Sequence, residues 1–184
     1  TCGVEPLMAM GELPGPYDFR HYGVRSRGVA THTCPMAPYR GVSRPVITFA
    51  MERLMDTAAR RFNIEPDEIR RRNLIRKFPY TSVTGTVYDQ GSYVEALDKA
   101  VETIDLSSFR KRQYQARGEG RYLGIGFSTF NERTGYGTPT FSQRAMEITP
   151  GYETVEITMD PSGSIEARIG ASPHGQGLAT SLSQ

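Results

Sequence analysis

An α+β fold, with helices packed on a mixed β-sheet and a C-terminal β-hairpin, is what the order of patterns along the chain predicts. Three observations carry it. Apolar residues recur at helical spacing between residues 45 and 117, and strand-like alternation dominates only afterwards. The run Tyr122-Leu123-Gly124-Ile125-Gly126-Phe127-Ser128-Thr129-Phe130 reads as a buried strand whose glycines permit close packing. Two alternating stretches, 154–159 and 164–169, flank Asp160-Pro161-Ser162-Gly163, a set of turn residues suited to a hairpin. The chain accordingly divides into a helix-rich part, 1–118, and a β-rich part, 119–184.

Taken in order, the first 24 residues hold Gly11, Pro14, Gly15, Pro16 and Gly23 and read as an irregular lead-in. Residues 24–33 alternate as a strand around Val24, Val29 and Thr31, and Pro35 and Pro38 then break the chain into a turn from Cys34 to Gly41. A helix is expected over 45–62, capped by Ser43, with Pro45 in its first turn and Ile47, Met51, Leu54, Ala58 and Phe62 at helical spacing. Its Ile47, Leu54, Ala58 and Phe62 face is expected to lie on the sheet. A second helix starts at Pro66, acidic at Asp67 and Glu68, and runs to about Leu74. Residues 78–91 read as a loop. Ser92 and Glu95 form a capping box for a third helix whose stripe is Tyr93, Leu97, Ala100 or Val101, and Ile104. Ser107 or Ser108 caps a fourth, basic helix through Arg117.

Composition excludes more than it selects. With 23% charged and 38% hydrophobic residues, the 184-residue chain can build a core and is not disordered. A net charge of +2 favours no partner. Arg70-Arg71-Arg72 with Arg76-Lys77 is the strongest charge run, but aromatic interleaving is slight, which argues against nucleic acid. It reads as a solvated helix face, or as a face that docks a partner. No apolar run is long enough for a membrane span. Cys2 and Cys34 read as unpaired thiols of a cytoplasmic protein, and His21, His32 and His174 lack ligand spacing, so no protein-held metal is expected. Thr1-Cys2-Gly3-Val4 has neither an initiator Met nor a signal-peptide pattern, so the chain is expected to be an internal fragment.

Two loops carry candidate chemistry. Arg40 sits in a turn bracketed by prolines and Gly41, just before a helix start. Its guanidinium, nearby backbone N–H groups and a helix dipole end would suit an anion, although a surface carboxylate would equally occupy it. In Ser172-Pro173-His174-Gly175-Gln176-Gly177, Gln176 offers one acceptor and two donors to a heterocycle or phosphate ester, with a glycine on either side. His174 alone reads as a hydrogen-bonded structural residue.

The stretches Ala37-Pro38-Tyr39-Arg40-Gly41-Val42-Ser43-Arg44-Pro45, Phe49-Ala50-Met51-Glu52-Arg53-Leu54-Met55-Asp56 and Pro66-Asp67-Glu68-Ile69-Arg70-Arg71-Arg72-Asn73-Leu74-Ile75 carry a family likeness. Together with Tyr88-Asp89-Gln90-Gly91-Ser92-Tyr93 and the Gly175-Gln176-Gly177 loop, the chain resembles the molybdenum-binding large subunit of the xanthine dehydrogenase, aldehyde oxidase and aerobic carbon monoxide dehydrogenase family. The resemblance implies part of a molybdopterin-binding domain. In it Tyr39, Arg40 and Gly41 lie beside the metal and bind the pterin, Gln176 hydrogen-bonds the cofactor with Gly175 and Gly177 beside it, and Val42 walls the substrate side. It implies molybdopterin in its cytosine dinucleotide form, the molybdenum being held by the pterin rather than by side chains. Iron–sulfur clusters and FAD would sit on partner subunits, and the rest of the large subunit would complete the site. The implied reaction is hydroxylation of an aldehyde or N-heteroaromatic carbon with water-derived oxygen. Gly41 stands where carbon monoxide dehydrogenases place a copper-bearing cysteine, and Val42 where xanthine-oxidising members place a stacking Phe, so neither carbon monoxide nor a purine is the implied substrate. The family's glutamate base lies beyond Gln184, so no catalytic residue is assigned, and the 184 residues alone are expected to be inactive and free of cofactor. The reading from another class is a non-catalytic binding or assembly module that docks a partner through the Arg70 to Lys77 face.

Overall fold

Helix α2 (Arg44–Phe62) is the element around which the N-terminal part is built: α1 (Val4–Glu12) and α3 (Pro66–Asn73) pack on it, and α4 (Tyr93–Thr103) packs on α3. The structure is a computed structural model that describes residues 4–34, 39–132 and 153–184. It divides into two units, Thr1–Glu132 and Arg133–Gln184, each described here by itself. The first unit also holds a small ribbon, β1 (Tyr80–Thr81) with β2 (Val87–Tyr88), and α5 (Leu106–Gly118). The second holds the hairpin β3 (Val155–Met159) and β4 (Ile165–Ile169), followed by the short α6 (Leu178–Leu182). Both helices and strands are present, as expected. Among the described residues, however, the strands form two antiparallel pairs rather than the expected mixed sheet.

The start of α2 follows from Pro45, which fits the first turn because it needs no N–H there. Its end follows from Asn63, which takes the left-handed conformation (φ 53°) and returns its N–H to the carbonyls of Ala59 and Arg60. The buried stripe is Ile47, Met51, Met55 and Ala59, one residue every four. This corrects the expected face. Leu54 and Phe62 are 58% and 67% exposed, so the helix is rotated to bury its methionines. The reason is polar: Glu52 flanks the buried stripe and is held inside by Arg70. The core closes with Tyr17, Ile69, Leu74 and Leu97, against which Phe19 and Phe127 pack.

Several local expectations change. Val4–Glu12 is a helix, not an irregular lead-in, and Glu12 forms a two-point ion pair with Arg44 (2.9 and 3.2 Å). After it, Pro14 and Pro16 are fully buried and Tyr17 bridges to Leu74. Residues 24–33 form no strand, and the described part of 78–91 contains the β1–β2 ribbon. Ser43 and Ser92 occupy the N-cap positions of α2 and α4 without a side-chain cap bond, so the capping box is not made. The cap of α5 is Asp105, whose carboxylate accepts from the Ser108 N–H, and not Ser107 or Ser108. Residues 122–130 run extended without strand pairing and are largely exposed, instead of forming a buried strand. Cys34 is a free thiol, whereas Cys2, Pro35 and Pro38 lie outside the described residues. Among the described residues no helix is long and apolar enough to cross a membrane.

The hairpin is as expected. Asp160 holds the turn by accepting from the N–H groups of Ser162 (2.8 Å) and Ser164 (3.1 Å). The register pairs Val155 with Ile169, Ile157 with Ala167 and Met159 with Ile165, which makes one face of the ribbon wholly apolar. Glu156 opposite Arg168 and Thr158 opposite Glu166 make the other face polar. The strand residues Ile165, Ala167 and Ile169 form a groove of about 630 Å3 with Leu178 and Leu182 of α6.

Candidate functional site

The loop before α2 has a backbone that few residues tolerate. The Val42 N–H donates to the Tyr39 carbonyl (2.6 Å) and the Arg44 N–H to the Gly41 carbonyl (2.9 Å), so two tight turns overlap. They require positive φ at Gly41 (94°) and at Val42 (51°) in succession. Gly41 adopts this freely, and a Cβ there would meet the Pro45 ring at 3.1 Å. Val42 is β-branched and strained in that region, the kind of distortion that collects at binding sites. The loop bends at Gly41 and Val42, leaving Tyr39 85% exposed at the rim of a cavity of about 350 Å3.

That cavity is lined by Tyr39, Arg40, Gly41, Arg44, Pro45 and Thr48 from the loop and α2, and by Ser128, Phe130 and Glu132 from the extended segment. It therefore combines aromatic walls with two guanidinium groups, two aliphatic hydroxyls, the Tyr39 phenol and one carboxylate. Val42 is half-buried and does not line it. The anion site was expected to draw on backbone amides, but those of Val42, Arg44 and Ile47 are already bonded within the turn and Pro45 has none. Nearby, the Ser43 hydroxyl is buried and finds no hydrogen-bond partner among the described residues, a polar atom that an incoming ligand or water would satisfy.

The second candidate loop lies in the other unit. Gly175 (φ 83°) and Gly177 (φ 77°) both take positive φ, and Gly177 is the N-cap of α6. Gln176 is exposed, and its carbonyl oxygen accepts from the His174 N–H at 2.6 Å. With its oxygen engaged by the loop itself, the exposed Gln176 keeps its two N–H donors for other partners. Among the described residues no group of three His, Cys, Asp or Glu side chains is arranged to hold a metal ion.

The charge run resolves differently from its expected solvated face. Arg70 is completely buried: its Nε donates to Glu52 Oε2 (2.7 Å), and its Nη2 to Asp56 Oδ1 (2.9 Å) and to the Phe127 carbonyl (3.1 Å). The Tyr17 hydroxyl donates to Glu52 Oε1 at 2.6 Å, and burial beside that carboxylate pushes the phenol well above its ordinary range. Arg71 binds Asp67, Glu68 and Asp98, and Arg72 binds Glu68. Periodicity alone gave no sign of the Arg70 cluster. The signal available was Glu52 and Asp56, four apart on one helix, opposite an arginine-rich helix.

The backbone of the first loop can be tested directly. Gly41→Ala forces an L-residue into the left-handed region against Pro45, and is expected to destabilise the protein by about 1–2 kcal/mol, read as a lower urea midpoint.

Two family models, each described as a molybdopterin cofactor-binding domain, match residues 3–74 and 99–184. The nicotine 6-hydroxylase large subunit of Paenarthrobacter nicotinovorans is 39% identical over the whole chain, and the carbon monoxide dehydrogenase large chain of Hydrogenophaga pseudoflava is 34% identical over 92% of it. In each case the chain spans 22% of the relative's length. The crystal structure of quinoline 2-oxidoreductase from Pseudomonas putida 86 matches 99% of the chain and 23% of its own, with a TM-score of 0.83 and 35% identity. The chain therefore belongs to the molybdopterin cofactor-binding family, that of the molybdenum-binding large subunits related to xanthine dehydrogenase and carbon monoxide dehydrogenase.

Proposed function

We propose that this chain is the cofactor-holding portion of a molybdenum hydroxylase large subunit, and that the complete enzyme hydroxylates an N-heteroaromatic or aldehyde carbon with water-derived oxygen. The observation that carries the proposal is the cavity at Tyr39–Arg40–Gly41, where a doubly left-handed turn sets an arginine at the mouth of an aromatic-walled pocket. In this reading residues 1–118 contribute the Tyr39 to Gly41 loop and residues 119–184 the Gly175 to Gly177 loop to cofactor binding. Arg40 supplies a fixed positive charge to an anionic pterin, and Gln176 supplies two amide N–H donors. Gly41 and Gly177 leave the backbone uncovered where the cofactor lies close. Val42, which does not line this cavity, is assigned to the substrate side of the loop in this reading. The cofactor, proposed as the cytosine dinucleotide of molybdopterin, supplies the two-electron oxidation chemistry when bound. Iron–sulfur and FAD subunits would serve as the electron acceptors, in line with relatives named as large subunits or large chains. A planar nitrogen heterocycle is favoured because the names of two relatives specify nicotine and quinoline, and because Tyr39 and Phe130 offer flat apolar walls.

The docking-module alternative is the weaker reading, because Arg70 is buried and Arg71 and Arg72 pair with carboxylates of their own unit, which leaves Arg76 and Lys77 of that face.

The test is the full-length subunit expressed with its partners. Molybdenum and pterin nucleotide should be found by mass spectrometry, and turnover should favour quinoline-like rings over carbon monoxide. Gln176→Ala removes hydrogen bonds that contribute about 0.5–1.5 kcal/mol each, so its molybdenum content should fall, while Arg71→Ala should keep it. A metal-free complete enzyme, or a Gln176→Ala enzyme with full molybdenum and unchanged kinetics, would contradict the reading. The 184 residues alone are expected to retain neither metal nor activity.

A further inference from the structure

Residues 127–130 lack any strand pairing among the described residues, so something other than a ladder must fix which side chains face the Arg40 cavity. Their alternation is clear. Phe127 and Thr129 are half-buried and turn toward the Arg70 cluster, whereas Ser128 and Phe130 are exposed and line the cavity. The inward pair is tied by four contacts. The Phe127 carbonyl accepts from Arg70 Nη2 at 3.1 Å, and the guanidinium lies 6.0 Å over the Phe127 ring. Thr129 Oγ1 lies 2.6 Å from the Tyr17 hydroxyl and 3.3 Å from Glu52 Oε1.

Proton counting gives these contacts a direction. Glu52 is a carboxylate and only accepts; it takes the Tyr17 proton on Oε1 and an Arg70 proton on Oε2. The Tyr17 proton is thereby used, so Thr129 must be the donor, to the phenol oxygen or to Glu52. The Thr129 hydroxyl is thus bonded at a cluster whose other members are held independently of it.

We propose that Thr129 is a positioning residue, whose hydroxyl, held by the buried Arg70–Glu52–Tyr17 cluster, fixes the register of the segment so that Ser128 and Phe130 form one wall of the cofactor pocket. This rests on the functional reading above, in which that pocket receives the pterin. Arg70 and Glu52 act one step further back: they never reach the cavity, yet they set the shape of its wall. Displacing a wall by a fraction of its contact distance is enough to impair a preorganised site.

The experiment uses the full-length subunit with its partner subunits. Thr129→Val keeps the shape and deletes the proton, while Thr129→Ser keeps the proton and deletes only the methyl. Molybdenum per subunit should drop several-fold in the valine variant and stay near wild type in the serine variant, with melting temperatures close for all three because Tyr17, Glu52 and Arg70 remain paired. Equal molybdenum in the valine variant and wild type, or a serine variant as depleted as valine, overturns the proposal. If the valine variant does not accumulate, Thr129→Ala carries the test, since it deletes the hydroxyl from both of its partners without touching Tyr17 or Glu52. It should also lower the content, and an unchanged content overturns the proposal. A wild-type enzyme without molybdenum sinks the functional reading and this inference together, whereas a loaded wild type with an equally loaded valine variant sinks this inference alone.

Discussion

Arg70→Met is expected to destabilise the protein by about 3–5 kcal/mol, because it strands the Glu52 carboxylate inside the helical unit with only hydroxyl partners. Arg70 is 0% exposed and Glu52 is 6% exposed, so water cannot replace the lost guanidinium. Removing both charges, Arg70→Met with Glu52→Met, should recover much of the loss, since buried pairs are costly to break but cheap to replace whole. Arg71→Ala, whose partners are partly solvated, should cost only about 1 kcal/mol or less. Urea unfolding of the four proteins measures these differences. A single Arg70→Met cost no larger than that of Arg71→Ala would mean the cluster does not hold the fold.

The second large effect separates two neighbours on α2. Met55 is 4% exposed, and Met55→Ala should cost about 2–5 kcal/mol through lost burial and the cavity left behind. Leu54 is 58% exposed, so Leu54→Ala should fall within about 0.5 kcal/mol of wild type. The same urea curves decide it, and the reverse order would show that the helix is turned the other way in solution.

That pair explains what could and could not be read from the sequence. Existence and type of the long helices followed from Pro45, Pro66 and the spacing of apolar residues, and the hairpin followed from Asp160-Pro161-Ser162-Gly163 between alternating stretches. Which face of α2 goes inward did not follow, because it carries apolar residues on both sides; Val46 and Phe49 are exposed like Leu54. The choice is made by Glu52 meeting Arg70, a contact across 18 residues that no local pattern encodes. Caps failed for a similar reason. Ser92 and Glu95 have the right spacing, but local backbone at Ser92 (φ −126°, ψ 46°) makes no side-chain bond to the helix. The run 122–130 was apolar enough for a strand but finds no partner strand among the described residues. At the candidate site, Arg40, Gly41 and Gln176 were legible as residues with unusual freedom or donors. Ser128, Phe130 and Glu132 were not, since only the fold brings them beside Arg40.

The Asp160 turn has a further meaning for how this part of the chain can change. In the hairpin every apolar residue of one strand faces an apolar residue of the other, and every polar residue a polar one. Side chains alternate with a period of two, so losing one residue between Met159 and Ile165 would turn Val155, Ile157 and Met159 away from Ile165, Ala167 and Ile169. The two-faced ribbon would become two half-greasy surfaces, and the groove against Leu178 and Leu182 would lose part of its floor. Substitutions at 161 and 162 leave that arrangement intact so long as Asp160 keeps its carboxylate and residue 163 tolerates φ 85°. For this ribbon, length is a stricter inheritance than identity.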